Sequence, residues 1–64
     1  MTFRQVEKSL KADGWFLIRT TGSHYQYRKV GVPNPITVPN HNGHDLSIGV
    51  INDLEKKTGL SLRS

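Results

Sequence analysis

The chain has 64 residues, nine Lys and Arg against five Asp and Glu, and no Cys, for a net charge of +4. A chain this short forms one domain, spanning 1–64, and buries only about 60% of its unfolded surface, so any chemistry belongs to a surface or shallow groove rather than a deep cavity. The missing cysteines exclude a disulfide scaffold, a thiolate metal site and a cysteine nucleophile; with no signal-peptide pattern and no apolar run longer than Trp15 to Ile18, the expected setting is a reducing cytoplasm away from membranes.

Thr2 followed by Gln5 forms a capping-box pattern and places a helix N-cap at Thr2. Phe3, Val6 and Leu10 then recur at helical spacing, while Lys8 and Lys11 fall on the water-facing side. Gly14 closes this first helix, predicted from Thr2 to Ala12. Trp15 to Thr20 is aromatic and β-branched and predicts a strand, with Phe16 and Ile18 on one face and Trp15, Leu17 and Arg19 on the other.

Thr21-Gly22-Ser23 is a turn signal. His24 to Lys29 predicts a second strand, with His24, Gln26 and Arg28 on one face and Tyr25 and Tyr27 on the opposite one. Val30 to Pro35 is a loop rich in Gly and Pro. Ile36 to Val38 predicts a short third strand ended by Pro39. The polar stretch from Asn40 to Asp45 is a loop, and Asp45 or Ser47 caps a second helix lined by Val50, Ile51 and Leu54 and closed by Gly59. The order α-β-β-β-α, with short connections between strands, predicts an α+β domain: a three-stranded antiparallel sheet with two helices on one face.

A sequence pI near 9.9 fits either a nucleic-acid-binding surface or a merely soluble basic protein. The five carboxylates show no spacing suited to glycosidase or two-metal chemistry. No glycine-rich phosphate loop and no Ser-His-Asp arrangement is legible. His41, His44 and Asp45 lie close in sequence but lack a fourth ligand at convincing spacing, so no metal is expected there.

His24 is the informative residue. It follows Gly22-Ser23, where glycine permits a tight turn, and it opens a strand that holds the imidazole on a rigid element. Imidazole suits proton transfer near neutral pH. Arg19, Ser23, Arg28 and Lys29 supply hydroxyl and basic groups nearby in sequence, and Arg19 and Arg28 are expected to flank the turn and grip phosphates beside His24. An ordinary surface histidine in a polar turn is the plain alternative. Trp15, Tyr25 and Tyr27 have the chemistry to stack on bases, but a domain this small needs most of its aromatics for the core.

Several segments together resemble the HicA family of bacterial toxins over nearly the full chain. A first helix ending in Asp13-Gly14 is followed by Trp15-Phe16. Gly22-Ser23-His24-Tyr25-Gln26-Tyr27 resembles the family's Gly-Ser-His motif with its aromatic three residues on, and Thr37-Val38-Pro39-Asn40-His41 resembles its Val-Pro-x-His segment. Asp45-Leu46 leads into a helix that ends in Gly59-Leu60-Ser61. Two positions depart from the pattern: Thr20-Thr21 precede Gly22 where a basic or amide residue is frequent, and Tyr25 stands where a second histidine is frequent.

The resemblance implies a double-stranded-RNA-binding-domain-like fold, ribonuclease activity on mRNA, His24 as the catalytic histidine and a HicB-type antitoxin partner. The missing carboxylate cluster and cysteines point to cleavage without a metal or cofactor, and the small packed domain to an antitoxin that masks the active site. Transesterification by the RNA's own 2′-hydroxyl requires a proton acceptor and a proton donor; one imidazole does not obviously do both, which makes His41 a candidate second group and Tyr27 a weaker one. A non-catalytic RNA-binding module of the same fold is the rival reading.

Overall fold

The computed structural model describes residues 1–41 and 44–62. Helix α1 (Phe3–Ala12) leads into strands β1 (Phe16–Thr21), β2 (His24–Arg28) and β3 (Ile36–Pro39), and helix α2 (Ile48–Thr58) follows. The strands form one antiparallel sheet in the order β1-β2-β3. The α-β-β-β-α order and the three-stranded antiparallel sheet are those the sequence predicts.

Both ends of α1 are chemically specified. Thr2 and Gln5 form the reciprocal capping box: the Gln5 N–H donates to the Thr2 hydroxyl, and the Thr2 N–H donates to the Gln5 side-chain oxygen. At the other end, the Trp15 N–H reaches the Leu10 carbonyl at 3.0 Å and the Gly14 N–H reaches the Lys11 carbonyl at 3.1 Å. Gly14 has a positive φ of 100°. This is the Schellman closure, and its apolar contact is made by Leu10 and Trp15, which share the core. It also explains why β1 begins at Phe16 rather than at Trp15: the Trp15 N–H completes the helix end. The buried Trp15 indole nitrogen has no hydrogen-bond partner among the described residues.

Helix α2 is capped by Ser47, whose hydroxyl accepts from the Val50 N–H, and it ends on Gly59 at φ 76°. Of the two caps the sequence offers, Ser47 is the one used.

One apolar cluster lies between the helices and the sheet. Val6 and Leu10 of α1, Ile51 and Leu54 of α2, and Tyr27, Ile36 and Val38 of the sheet belong to it. Because the cluster holds residues of both helices and the inward side chains of β2 and β3, both helices lie over one sheet face, as the apolar stripes predict. Trp15, Leu46 and Leu62 complete the cluster from outside regular elements. Truncating a fully buried core leucine such as Leu10 to alanine costs about 2–5 kcal/mol, a large share of the stability of so small a domain.

Helix α1 runs in the direction of β2. Phe3 packs on Tyr25 with ring centroids 4.8 Å apart, the Tyr27 hydroxyl donates to the Glu7 carboxylate, and the Lys29 ammonium reaches Asp13 at 2.8 Å. Tyr27 and most of Tyr25 therefore serve packing, and the N-terminus of α1 sits at the end of the sheet where His24 lies.

Candidate active site

Strand register decides which side chains share the uncovered face. β1 and β2 pair Phe16 with Arg28, Leu17 with Tyr27, Arg19 with Gln26 and Thr21 with His24, and the register shifts by one residue between Leu17 and Arg19. Ile18 is the extra residue of a β-bulge. Cross-strand partners share a face. Tyr27 points into the core, so Leu17 lies on the inner side, and Phe16, Arg19, Thr21, His24, Gln26 and Arg28 lie on the outer side. Strict alternation, which groups Arg19 with Leu17 and Phe16 with Ile18, is corrected here: the bulge separates Arg19 from Leu17 and joins it to Phe16. On β3, Pro39 pairs with His24 and Thr37 with Gln26. Pro39 is thus the last residue of the strand, on the sheet edge where its missing N–H is tolerated.

His24 is exposed at the start of β2. Gly22 holds the preceding turn with φ 57°, a conformation that favours glycine. Arg19 is a diagonal neighbour of His24 on the outer face, at a typical separation of about 7–8 Å. It is exposed and forms no ion pair among the described residues. The Ser23 carbonyl accepts from the Asn40 N–H at 2.7 Å, which ties the hairpin turn to the chain leaving β3. His41 follows directly, exposed, and its carbonyl accepts from the His44 N–H at 2.8 Å. The polar loop read over Asn40 to Asp45 includes Asn42 and Gly43, which lie outside the described residues.

The structure does not bring Arg28 and Lys29 to this end. Arg28 lies on the outer face but pairs with Phe16 at the far end of the hairpin, about 13 Å from His24 along an extended strand. Its guanidinium donates to the Pro33 carbonyl at 3.2 Å. Arg28 therefore does not flank the turn. Lys29 forms the ion pair with Asp13, and that ammonium holds the Asp13 carboxyl below its ordinary value of 3.8. Tyr27 is buried under the helices; burial first, then its hydrogen bond to Glu7, pushes its hydroxyl well above the ordinary phenol range. It is a structural donor, remote from the outer face.

On the inner side of the same end, a cleft of about 420 Å³ opens between the start of α1 and the chain after β3, lined in part by Phe3, Arg4, Glu7, Tyr25, Asn40 and His44. No sequence spacing signals it, because its residues come from three separated segments. No group of three or more His, Cys, Asp or Glu residues is placed to hold a metal among the described residues. Among the same residues, no helix is long and apolar enough to cross a membrane.

Residues 3–60 match the family model described as HicA toxin of bacterial toxin-antitoxin. The chain belongs to the HicA toxin family. Gly22, Ser23, His24 and the Val38-Pro39-Asn40-His41 segment all fall inside the matched region, as do both helices. Membership makes this HicA chain the toxin member of a toxin–antitoxin pair and implies an antitoxin partner. A comparison with curated proteins returned no match.

Proposed function

We propose that this HicA toxin is an endoribonuclease that cleaves mRNA without a metal, with His24 as its catalytic group and a HicB-type antitoxin as its inhibitor. The observation that carries the reading is the outer-face grouping at the hairpin end: an exposed imidazole on a rigid strand, with Arg19 beside it and, among the described residues, no helix above it. RNA presents a phosphate and an adjacent 2′-hydroxyl to such a surface without entering a cavity.

In the proposed step the 2′-oxygen attacks the adjacent phosphorus, the bond to the 5′-oxygen breaks, and the products are a 2′,3′-cyclic phosphate and a 5′-hydroxyl. One proton leaves the 2′-oxygen and one reaches the departing 5′-oxygen. His24 performs one of these transfers. His41 is the candidate for the other, because the Ser23–Asn40 hydrogen bond fixes the start of its loop beside the His24 turn. Arg19 offsets the charge that builds on the phosphoryl oxygens, and Ser23 is a phosphate-binding candidate in the turn.

An RNA oligonucleotide with a single 2′-deoxy residue at a mapped cut site tests the chemistry. The modified linkage is expected to resist cleavage, and cutting elsewhere is expected to continue in strong chelator. Cleavage at the modified linkage, or complete loss of activity in chelator, contradicts the reading.

A further inference from the structure

The cleft behind the sheet end takes no part in the step just described, yet it adjoins it. Tyr25 follows His24 directly, and Asn40 follows Pro39, the cross-strand partner of His24. We propose that this cleft is a binding subsite for an RNA nucleotide flanking the scissile phosphate, with preference for a base that carries an exocyclic amine. The inference rests on the RNA-cleaving reading and extends it to substrate selection.

Its volume of about 420 Å³ lies within the range of about 300–1,000 Å³ usual for small-ligand sites. Phe3 and Tyr25 form a tilted aromatic pair in the lining, a surface on which a base ring can stack. Arg4 is exposed, forms no ion pair among the described residues, and supplies a phosphate contact.

Glu7 sets the base preference. Its Oε2 accepts from the Tyr27 hydroxyl and lies 3.7 Å from the Lys11 ammonium, whereas Oε1 has no partner among the described residues. A carboxylate oxygen accepts from a base amine, as on cytosine N4. Adenine and guanine carry amines too. Uracil presents its single ring N–H between two carbonyl oxygens, which a carboxylate repels. The Asn40 side chain adds a donor and an acceptor for the remaining base edge.

The test measures anisotropy of fluorescein-labelled, fully 2′-O-methylated octamers of A, C or U with the intact toxin. These probes lack the free 2′-hydroxyl and cannot undergo the proposed cleavage. The A and C octamers are expected to bind about tenfold more tightly than the U octamer, in line with one good base contact. Arg4→Ala should weaken all three about fivefold, the loss of one phosphate contact on a short strand. Glu7→Gln should bring the three affinities within about twofold of one another, because the amide no longer repels uracil.

Equal affinities for A, C and U in the wild-type chain, or unchanged affinities in Arg4→Ala, overturn the proposal. If Glu7→Gln fails to fold, the exposed Arg4 position and the wild-type base series still decide it. Binding is read without turnover, so a toxin that shows the expected series yet cuts no RNA retains the subsite and loses the ribonuclease reading.

Discussion

The Asn40 N–H donates to the Ser23 carbonyl at 2.7 Å. This bond joins the chain that leaves β3 to the turn that precedes His24. It holds Asn40, the residue before His41, against the turn that carries the candidate catalytic histidine. The proposed role of His41 depends on that closure, whereas strand register places Arg19 beside His24.

Arg19 and Lys29 are both near His24 in sequence, but only Arg19 is near it on the sheet. Arg19→Ala should weaken RNA binding and lower the slope of log affinity against log salt by about one. Lys29→Ala should change that slope little. Its effect should appear instead at Asp13, whose NMR titration midpoint should rise toward the ordinary carboxylate range once the ammonium is gone. Because the folded value is depressed, the Asp13–Lys29 contribution is present above the ordinary carboxylate range and is lost as pH falls through the folded midpoint. A salt slope lowered by Lys29→Ala and left alone by Arg19→Ala would move the RNA surface to the other end of the hairpin.

Tyr27 supports the fold rather than the chemistry. Tyr27→Phe removes its hydrogen bond to the Glu7 carboxylate and should cost about 1–2 kcal/mol in urea unfolding, somewhat below a fully buried charged bond because Glu7 is partly exposed. Its raised folded value also gives a pH signature. The contribution is fully present below the ordinary phenol value near 10 and is lost as pH rises beyond it, because the unfolded chain ionises first. Wild-type stability should therefore fall more steeply above about pH 10 than that of Tyr27→Phe. Parallel curves for the two proteins would show that the hydroxyl makes no differential contribution.

Inhibition by the antitoxin should work by covering the site. Among the described residues no helix lies over the outer face, and a packed 64-residue domain has little capacity to distort without unfolding. Charge complementarity favours an acidic contact surface opposite Arg19. Hydrogen exchange on the toxin–antitoxin complex should show new protection over residues 20–29. Protection confined to α1 and α2, with that segment still open, would reject direct masking.

The elements of the fold are legible in the sequence because each is marked by local chemistry: the Thr2–Gln5 capping box, the helical spacing of Val6 and Leu10, and the glycines at 14, 22 and 59. The apolar roles of Leu46 and Leu62 are less so, since both join the core from outside the helices and strands. The bulge at Ile18 leaves no compositional trace, because any β-branched residue fits a regular strand equally well. It nevertheless decides that Arg19, and not Leu17, shares a face with Phe16 and His24. Arg28 shows the complementary limit: sequence proximity to His24 becomes distance once β2 is extended. The cleft lined by Arg4, Glu7 and His44 exists only after α1 is laid along β2.

His24→Ala removes the imidazole that the proposed RNA cleavage uses for proton transfer. His24 is exposed and absent from the apolar core, so the variant should keep the wild-type circular dichroism spectrum and unfold within about 0.5 kcal/mol of it, as surface substitutions do. RNA cleavage by this folded variant should fall by at least about a hundredfold, the typical scale of a general acid or base. A folded His24→Ala protein that cuts RNA at near wild-type rate would rule out a catalytic role for His24.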